Sequence, residues 1–150
     1  MIAQPTTVDE IEAAPEFADL AAEYDASRIE GMPPANPDWE MYRRLESAGL
    51  LFAFSATVDG RLVGYISVLV SVLPRYSARV ATVESYFVAK AHRKTGAGLK
   101  LLKLAEDKAR ELNAPPMLVS APADGDLAQV LPRLGYRATS TIFFKRLPDA

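Results

Sequence analysis

Two apolar runs on either side of Asp59-Gly60, LLFAFSATV and RLVGYISVLVSVL, constrain the fold of this chain most strongly. An Asp-Gly pair between apolar runs is the strongest short-range signal for a β-hairpin. The second run is apolar almost throughout, which predicts a strand buried on both faces inside a sheet. A third strand, ARVATVESYFV, follows a loop at residues 74–77. The middle of the chain, residues 51–89, therefore predicts antiparallel strands.

Helical patterns surround these strands. Residues 1–48 are predicted to be helical in two pieces, the second beginning at an Asp38 cap and ending near Ser47. A further helix is predicted from Leu99 to Leu112, within a segment 93–112 that also includes a loop. The last segment, 116–147, is read as a short strand MLVSA, a short helix DLAQVLPRL and a closing strand or hairpin YRATSTIFFKRL. This order predicts one domain of the α/β (α+β) class, with a mixed, mostly antiparallel sheet and helices on both faces.

Composition excludes several classes of site. The 150 residues contain no cysteine, so disulfides, thiolate nucleophiles and cysteine-based zinc sites are excluded. The single histidine, His92, also argues against a histidine metal cluster. The acidic N-terminus lacks the features of a signal peptide, and no apolar run is long enough for a membrane span, so we expect a cytoplasmic protein that does not bind membranes.

Charge is distributed unevenly along the chain. Residues 1–46 have eleven acidic residues and three arginines, a net charge of −8, whereas the remainder carries +6. This asymmetry is consistent with a basic face for an anionic ligand and an acidic entrance for a cationic one, and equally with solvated acidic helices. The modest positive charge, spread over many residues, argues against nucleic-acid binding.

The stretch HRKTGAGLK lies between the third strand and the long helix. Free N–H groups and the macrodipole at a helix N-terminus attract anions, and glycine lets a phosphate approach the backbone. The stretch is neither a P-loop, which needs Gly-Lys-Ser/Thr, nor a dinucleotide fingerprint, because position 101 is leucine. An ordinary helix start explains the glycines but not the basic residues and the threonine around them. The pattern therefore favours a site for phosphate or pyrophosphate.

The segment VESYFVAKAHRKTGAGLKLL resembles the central motif of the GNAT superfamily of N-acetyltransferases: a strand, Arg/Gln-x-x-Gly-x-Gly/Ala, and a helix. The resemblance extends from about residue 51 to 146 and includes LVGYISV and MLVSAPADGDLAQVLPRLGY. It implies acetyl-CoA as co-substrate and a primary amine as acceptor, on a small molecule, a polyamine or a peptide. It also implies a possible homodimer.

The resemblance assigns the cofactor-binding residues. Main-chain groups of Phe87 and Val88 would bind the pantetheine arm, and Asp124 stands where many members have an asparagine early in the fourth helix. The pyrophosphate would be held by the loop residues, namely Arg93, Lys94, Thr95, Gly96, Ala97 and Gly98.

The catalytic residues of GNAT enzymes have only partial counterparts in this sequence. Glu84 occupies the position of a general base in several GNAT enzymes, although a strand carboxylate paired with Arg75 or Arg79 is an equal alternative. Leu131 stands where many members have the tyrosine that protonates the leaving thiolate. Tyr136 is the predicted substitute, with Tyr86, Tyr76 or water as alternatives.

Two further features remain open at this point. Trp39 and Tyr42 have the i,i+3 spacing of ordinary core packing, and alternatively line the acceptor pocket. Because Leu131 cannot donate a proton, a catalytically silent module that binds or senses acyl-CoA is the alternative function.

Overall fold

A computed structural model describes all residues, 1–150, as one five-stranded sheet with helices on both faces. The strand order is β1-β2-β3-β4-β5, with antiparallel neighbours except for the parallel pair β4–β5. The strands are β1 Ile2–Thr6, β2 Leu51–Val58, β3 Arg61–Leu73, β4 Ala78–Val88 and β5 Met117–Leu118. The predicted fold class, a mixed and mostly antiparallel sheet, is confirmed.

The central hairpin has the geometry that its sequence predicts. Asp59 and Gly60 alone connect β2 to β3, and both have positive φ, 51° and 74°. Positive φ at both central residues is typical of the tight turn that matches strand twist. Residues 62–68 of β3 are buried, so this strand lies in the sheet interior with both faces covered.

Helices cover the two faces of the sheet and enclose separate apolar clusters. The helices are α1 Val8–Ala13, α2 Phe17–Asp25, α3 Trp39–Ser47, α4 Ala97–Glu111 and α5 Asp126–Val130, with 3-10 turns at Lys90–Thr95 and Leu131–Leu134. The larger cluster joins α4 to the sheet through Leu101, Leu102 and Ile66, all at most 1% exposed. The smaller cluster joins the N-terminal helices to the opposite face through Ile11, Leu20 and Phe87.

The structure corrects two of the predicted segments. Residues 1–48 begin with a strand, β1, and contain three helices rather than two, because the chain turns at residues 14–16 around Pro15. The segment YRATSTIFFKRL forms neither a strand nor a hairpin, and residues 137–150 have no regular secondary structure. No strand of the sheet pairs with this segment, and its apolar side chains are exposed, Phe143 by 90% and Ile142 by 76%, so neither pairing nor burial holds it as a strand.

No helix combines the length and the apolar character needed to cross a membrane. No group of three or more acidic or histidine side chains is arranged to hold a metal ion.

Candidate active site

Strands β4 and β5 separate after a short contact. Only Ala81 and Thr82 of β4 pair with β5, so the second half of β4 has no strand on that side. The N–H of Ala89 donates to Val63 O at 2.9 Å, which directs the main chain of Ala89 toward β3. Because main-chain groups alternate sides along a strand, those of Phe87 also face β3, whereas those of Tyr86 and Val88 face the gap. The gap is therefore bordered by main-chain donors and acceptors of β4.

The gap opens onto the loop that carries the predicted anion site. Gly96 has φ +82°, a left-handed conformation that L side chains rarely adopt. Helix α4 follows immediately, and its first intrahelical bond runs from Lys100 N to Gly96 O at 3.1 Å. The N–H groups of Gly98 and Leu99 have no partner within the helix, as expected at a helix start. They provide the donors that a phosphate oxygen requires.

Two predicted anion-binding side chains are already engaged within the loop. Arg93 donates from Nε to Val88 O at 2.9 Å, and its guanidinium lies 5.6 Å from the Phe87 ring centre. The Thr95 hydroxyl donates to His92 O at 2.6 Å and accepts from Ala97 N at 3.3 Å. Both side chains therefore fix the shape of the loop, and Arg93 keeps its terminal nitrogens for a ligand. Lys94 is exposed to solvent.

Tyr86 connects β4 to the start of α4. Its hydroxyl donates to Gly98 O at 2.5 Å, and a Cβ on residue 98 would lie 3.0 Å from that hydroxyl. Burial raises the pKa of Tyr86 to about 12, so the hydroxyl remains a donor at neutral pH. Gly98 thus leaves the space that this contact between strand and loop needs.

A cavity of about 740 Å³ lies on the sheet face covered by the N-terminal helices. This volume is in the range of small-molecule sites, roughly 300–1,000 Å³. Trp39 and Tyr42 both line it, and α3 has no fully buried residue. These two residues therefore form a wall of the cavity, and Trp39 also packs against the smaller core cluster.

Glu84 faces this cavity because of a β-bulge in β4. Ser67 of β3 pairs with Ser85 and Val68 pairs with Val83, so Glu84 has no partner residue. Regular alternation would direct Glu84 to the same side as Tyr86, toward α4. The extra residue instead turns the Glu84 side chain to the cavity side, as bulges commonly do beside functional sites.

Three hydroxyl groups hold the Glu84 carboxylate. Tyr42 donates to Oε1 at 2.7 Å, while Ser67 and Ser85 donate to Oε2 at 2.6 and 2.8 Å. Neither Arg75 nor Arg79 forms an ion pair with Glu84, so the structure does not support the alternative of a strand ion pair. Burial and the bond to Glu84 raise the pKa of Tyr42, which keeps it a donor. The carboxylate is thus fixed in position and still reachable from the cavity.

Tyr136 lies apart from Glu84. Its hydroxyl donates to Glu106 of α4 at 2.8 Å, and it is not among the residues that line the cavity. Burial and the bond to Glu106 raise the pKa of Tyr136. Asp124 is exposed in the turn before α5, and Leu131 is buried at the end of that helix. The structure therefore brings the loop and β4 together but leaves Tyr136 and Asp124 outside the cavity.

Sequence reasoning did not find the partners of these groups. Ser67 and Ser85 read as ordinary strand residues, and their role depends on the bulge, for which the sequence has no local signal. The contacts of Tyr24 were not predicted either. Its hydroxyl accepts from Tyr86 N at 3.4 Å, and the centre of its ring lies 4.9 Å from that of Phe87, on which it stacks. Only its place on the buried side of α2 was visible from the sequence.

Comparison with known families gives one match over most of the chain. The model of the Acetyltransferase (GNAT) family matches residues 14–136. A search of curated protein sequences found no significant match.

Solved structures with the same fold include several N-acetyltransferases. A ribosomal-protein-alanine N-acetyltransferase from Brucella melitensis biovar Abortus 2308 is 24% identical with a TM-score of 0.71, covering 98% of this chain and 100% of its own. AAC(6')-Iy in complex with a CoA bisubstrate analog is 18% identical with a TM-score of 0.74, over 99% and 98%. Glucosamine-6-phosphate N-acetyltransferase from Arabidopsis thaliana is 12% identical with a TM-score of 0.71, over 96% of both chains. At these identities the likeness concerns the fold.

Proposed function

The chain belongs to the GNAT acetyltransferase family, and from this premise we propose that it transfers the acetyl group of acetyl-CoA to a primary amine by direct attack on the thioester. The observation that carries this proposal is the bulge in β4, which turns Glu84 into the cavity beside the gap between β4 and β5. A carboxylate next to the place where a thioester arm would lie is suited to remove a proton from an ammonium group.

The residues present match the shape and charge of acetyl-CoA. The gap offers the Val88 N–H to a pantetheine amide, and the start of α4 offers the N–H groups of Gly98 and Leu99 to the pyrophosphate. Arg93 and Lys94 add positive charge there, while Asp124 stays a predicted contact. Acetyl-CoA would supply an activated acetyl group on sulfur.

The chain's own residues would position the amine and move its proton. Glu84 accepts a proton from the ammonium, directly or through one water, and the neutral amine then forms the C–N bond as the C–S bond breaks. The nitrogen then loses its second proton to water, and the thiolate takes up one proton from water. Tyr136 stays a predicted donor, but its hydroxyl is bonded to Glu106 outside the cavity. Tyr42, Ser67 and Ser85 hold the base in place, and orientation of reacting groups in general can supply up to about 7–11 kcal/mol of the barrier.

A silent acyl-CoA-binding module is the second candidate. It is favoured by Leu131, which is only 7% exposed and lacks a proton to donate, and by the bond of the Tyr136 hydroxyl to Glu106.

Thermal unfolding with saturating acetyl-CoA, compared with NAD and ATP, tests the proposal first. At a hundredfold excess over Kd, binding should add about 2.7 kcal/mol to the free energy of unfolding. Amide formation with a broad amine panel then separates the enzyme from the silent module. Stabilisation by acetyl-CoA without any product would favour the module, and no stabilisation would contradict both candidates.

Two lesser predictions accompany this proposal. The exposed apolar side chains of Ile142 and Phe143 support a homodimer, which sedimentation of the wild type and of Phe143→Ser would test. A cytoplasmic location also stays a prediction.

A further inference from the structure

The cavity beside Glu84 has a wall of aromatic rings. Five of its lining residues are aromatic: Phe17, Tyr24, Trp39, Tyr42 and Tyr65. Their ring centres form a connected chain, with Phe17 5.1 Å from Trp39, Trp39 5.8 Å from Tyr42, and Phe17 6.0 Å from Tyr65. Such a wall attracts apolar groups by burial and cations by the quadrupole of each ring.

Carboxylates in the cavity wall differ in what they already bind. Asp25 pairs with Arg28 at 2.8 Å and accepts from Ala35 N at 3.1 Å. Asp38 caps α3 by accepting from Met41 N at 3.0 Å. Glu84 alone of the three accepts only from neutral hydroxyls, so its charge has no cationic partner. Asp38 also lacks a cationic side chain, but it lies at the N-terminus of α3, where the helix macrodipole stabilises its charge. Glu84 is therefore the one carboxylate of the wall that is stabilised by neither a cation nor a helix end.

Positive charge in the wall is limited to one side chain. Arg28 is the only lysine or arginine among the lining residues, and its bond to Asp25 neutralises it. A phosphate on the acceptor would have no unpaired cation to bind, and burying it without one is costly.

From this charge count and this wall, we propose that the acceptor is a monoamine with an apolar body, which deepens the proposed function and rests on it. The ammonium group lies against Glu84, and the body lies among Phe17, Trp39 and Tyr65. A polyamine or an aminoglycoside would bring further ammonium groups for which the wall has aromatic rings but no further free carboxylate. A sugar phosphate would leave its phosphate unpaired.

Trp39 provides a readout that does not depend on turnover. It is the only tryptophan of the chain and lies in the cavity wall, so its fluorescence reports on ligands there. The ligands are 2-phenylethylamine, ethylamine, 2-phenylethanol, spermidine and glucosamine 6-phosphate, each titrated with CoA present. We expect 2-phenylethylamine to bind about tenfold or more tightly than ethylamine, because the ring is buried. We expect it to bind about tenfold or more tightly than 2-phenylethanol, because only the ammonium forms a charged hydrogen bond.

Two variants test whether Glu84 and Phe17 cause these differences in ligand affinity. Glu84→Gln should remove most of the preference for the amine over the alcohol, and Phe17→Ala should reduce the preference for 2-phenylethylamine over ethylamine. If Phe17→Ala fails to fold, the comparison of ligands on the wild type still decides the proposal.

Acetylation rates with the same amines distinguish failure of the monoamine proposal from failure of the acetyltransferase proposal. A kcat/KM highest for 2-phenylethylamine supports the proposal. A highest value for spermidine or glucosamine 6-phosphate overturns it while leaving the acetyltransferase proposal intact. Absence of acetyl-CoA binding contradicts the proposed function, and equal binding of all five ligands at Trp39 contradicts the monoamine proposal independently.

Discussion

Glu84 owes its position to one extra residue in one strand. The bulge places both Glu84 and Ser85 on the cavity side, so the hydroxyl of Ser85 becomes a donor to its own neighbour at 2.8 Å. A strand without the bulge would direct Glu84 toward α4, away from any acceptor. The proposed chemistry therefore depends on the local register of β4 as much as on the identity of the residue.

Replacing Glu84 by glutamine should lower kcat/KM by about 10²–10⁴-fold, the usual contribution of general-base catalysis. Glutamine keeps the size of the side chain but does not accept the ammonium proton. Initial rates over a range of pH would measure this, with thermal unfolding as a check on folding. Glu40→Gln is a matched control, because Glu40 is exposed on α3 and pairs only with Arg44. Equal rates for Glu84→Gln and wild type would remove Glu84 from the mechanism.

Elements with a strong local pattern were predicted from sequence, and those set by long-range pairing were not. Long apolar runs predict β2 and β3 around Asp59-Gly60, and frequent β-branched and aromatic residues predict β4. The structure has all three strands, so their prediction is confirmed. Strand β1 has Pro5, and its Ile2 is 61% exposed, so only its pairing with β2 makes it a strand. The segment YRATSTIFFKRL has the opposite character: its residues favour a strand, but no neighbour pairs with it.

In the candidate site, too, the residues within a local sequence motif could be predicted and those brought together by the fold could not. The loop and Glu84 could be predicted because a linear motif carries them. The hydroxyls around Glu84 come from α3, β3 and β4, and their convergence depends on tertiary packing.

The contact between β4 and the start of α4 leaves no room for a side chain at Gly98, so we expect substitution there to weaken acetyl-CoA binding. In Gly98→Ala, the new Cβ would lie 3.0 Å from the Tyr86 hydroxyl, so the start of α4 would have to shift, and with it the amides proposed to bind the pyrophosphate. We expect the Kd for acetyl-CoA to rise by about tenfold, the loss of roughly one hydrogen bond to a charged group. Calorimetric titration would measure it. Ser47→Ala, at an exposed position at the end of α3 and outside the loop, is the control, and equal effects of both variants would contradict this role.

At the scale of the whole molecule, buried tyrosines make stability depend on alkaline pH. Burial raises the pKa of Tyr86 from 10.0 to about 12 and also raises the pKa values of Tyr42, Tyr65 and Tyr136. Between pH 10 and 12 the folded state therefore binds more protons than the unfolded state, so the free energy of unfolding falls as pH rises.

Thermal unfolding between pH 8 and 12 should show this loss beginning near pH 10, the ordinary tyrosine pKa. Tyr86→Phe should have a smaller loss across the same interval, since one of the four groups no longer titrates. A melting temperature that stays constant from pH 10 to 12 would contradict the prediction.

The gap between β4 and β5 also leaves main-chain groups of β4 without a neighbouring strand, and such an edge is open to any extended chain. Tyr24 and Arg93 engage two of these groups, the N–H of Tyr86 and the carbonyl of Val88. These side chains then protect the protein from aggregation as well as shaping a site. We expect Arg93→Ala to scatter more light than wild type during storage, and acetyl-CoA to reduce the scattering of the wild type. If acetyl-CoA binds at this edge as proposed, the solubility of the protein would depend on the supply of its substrate.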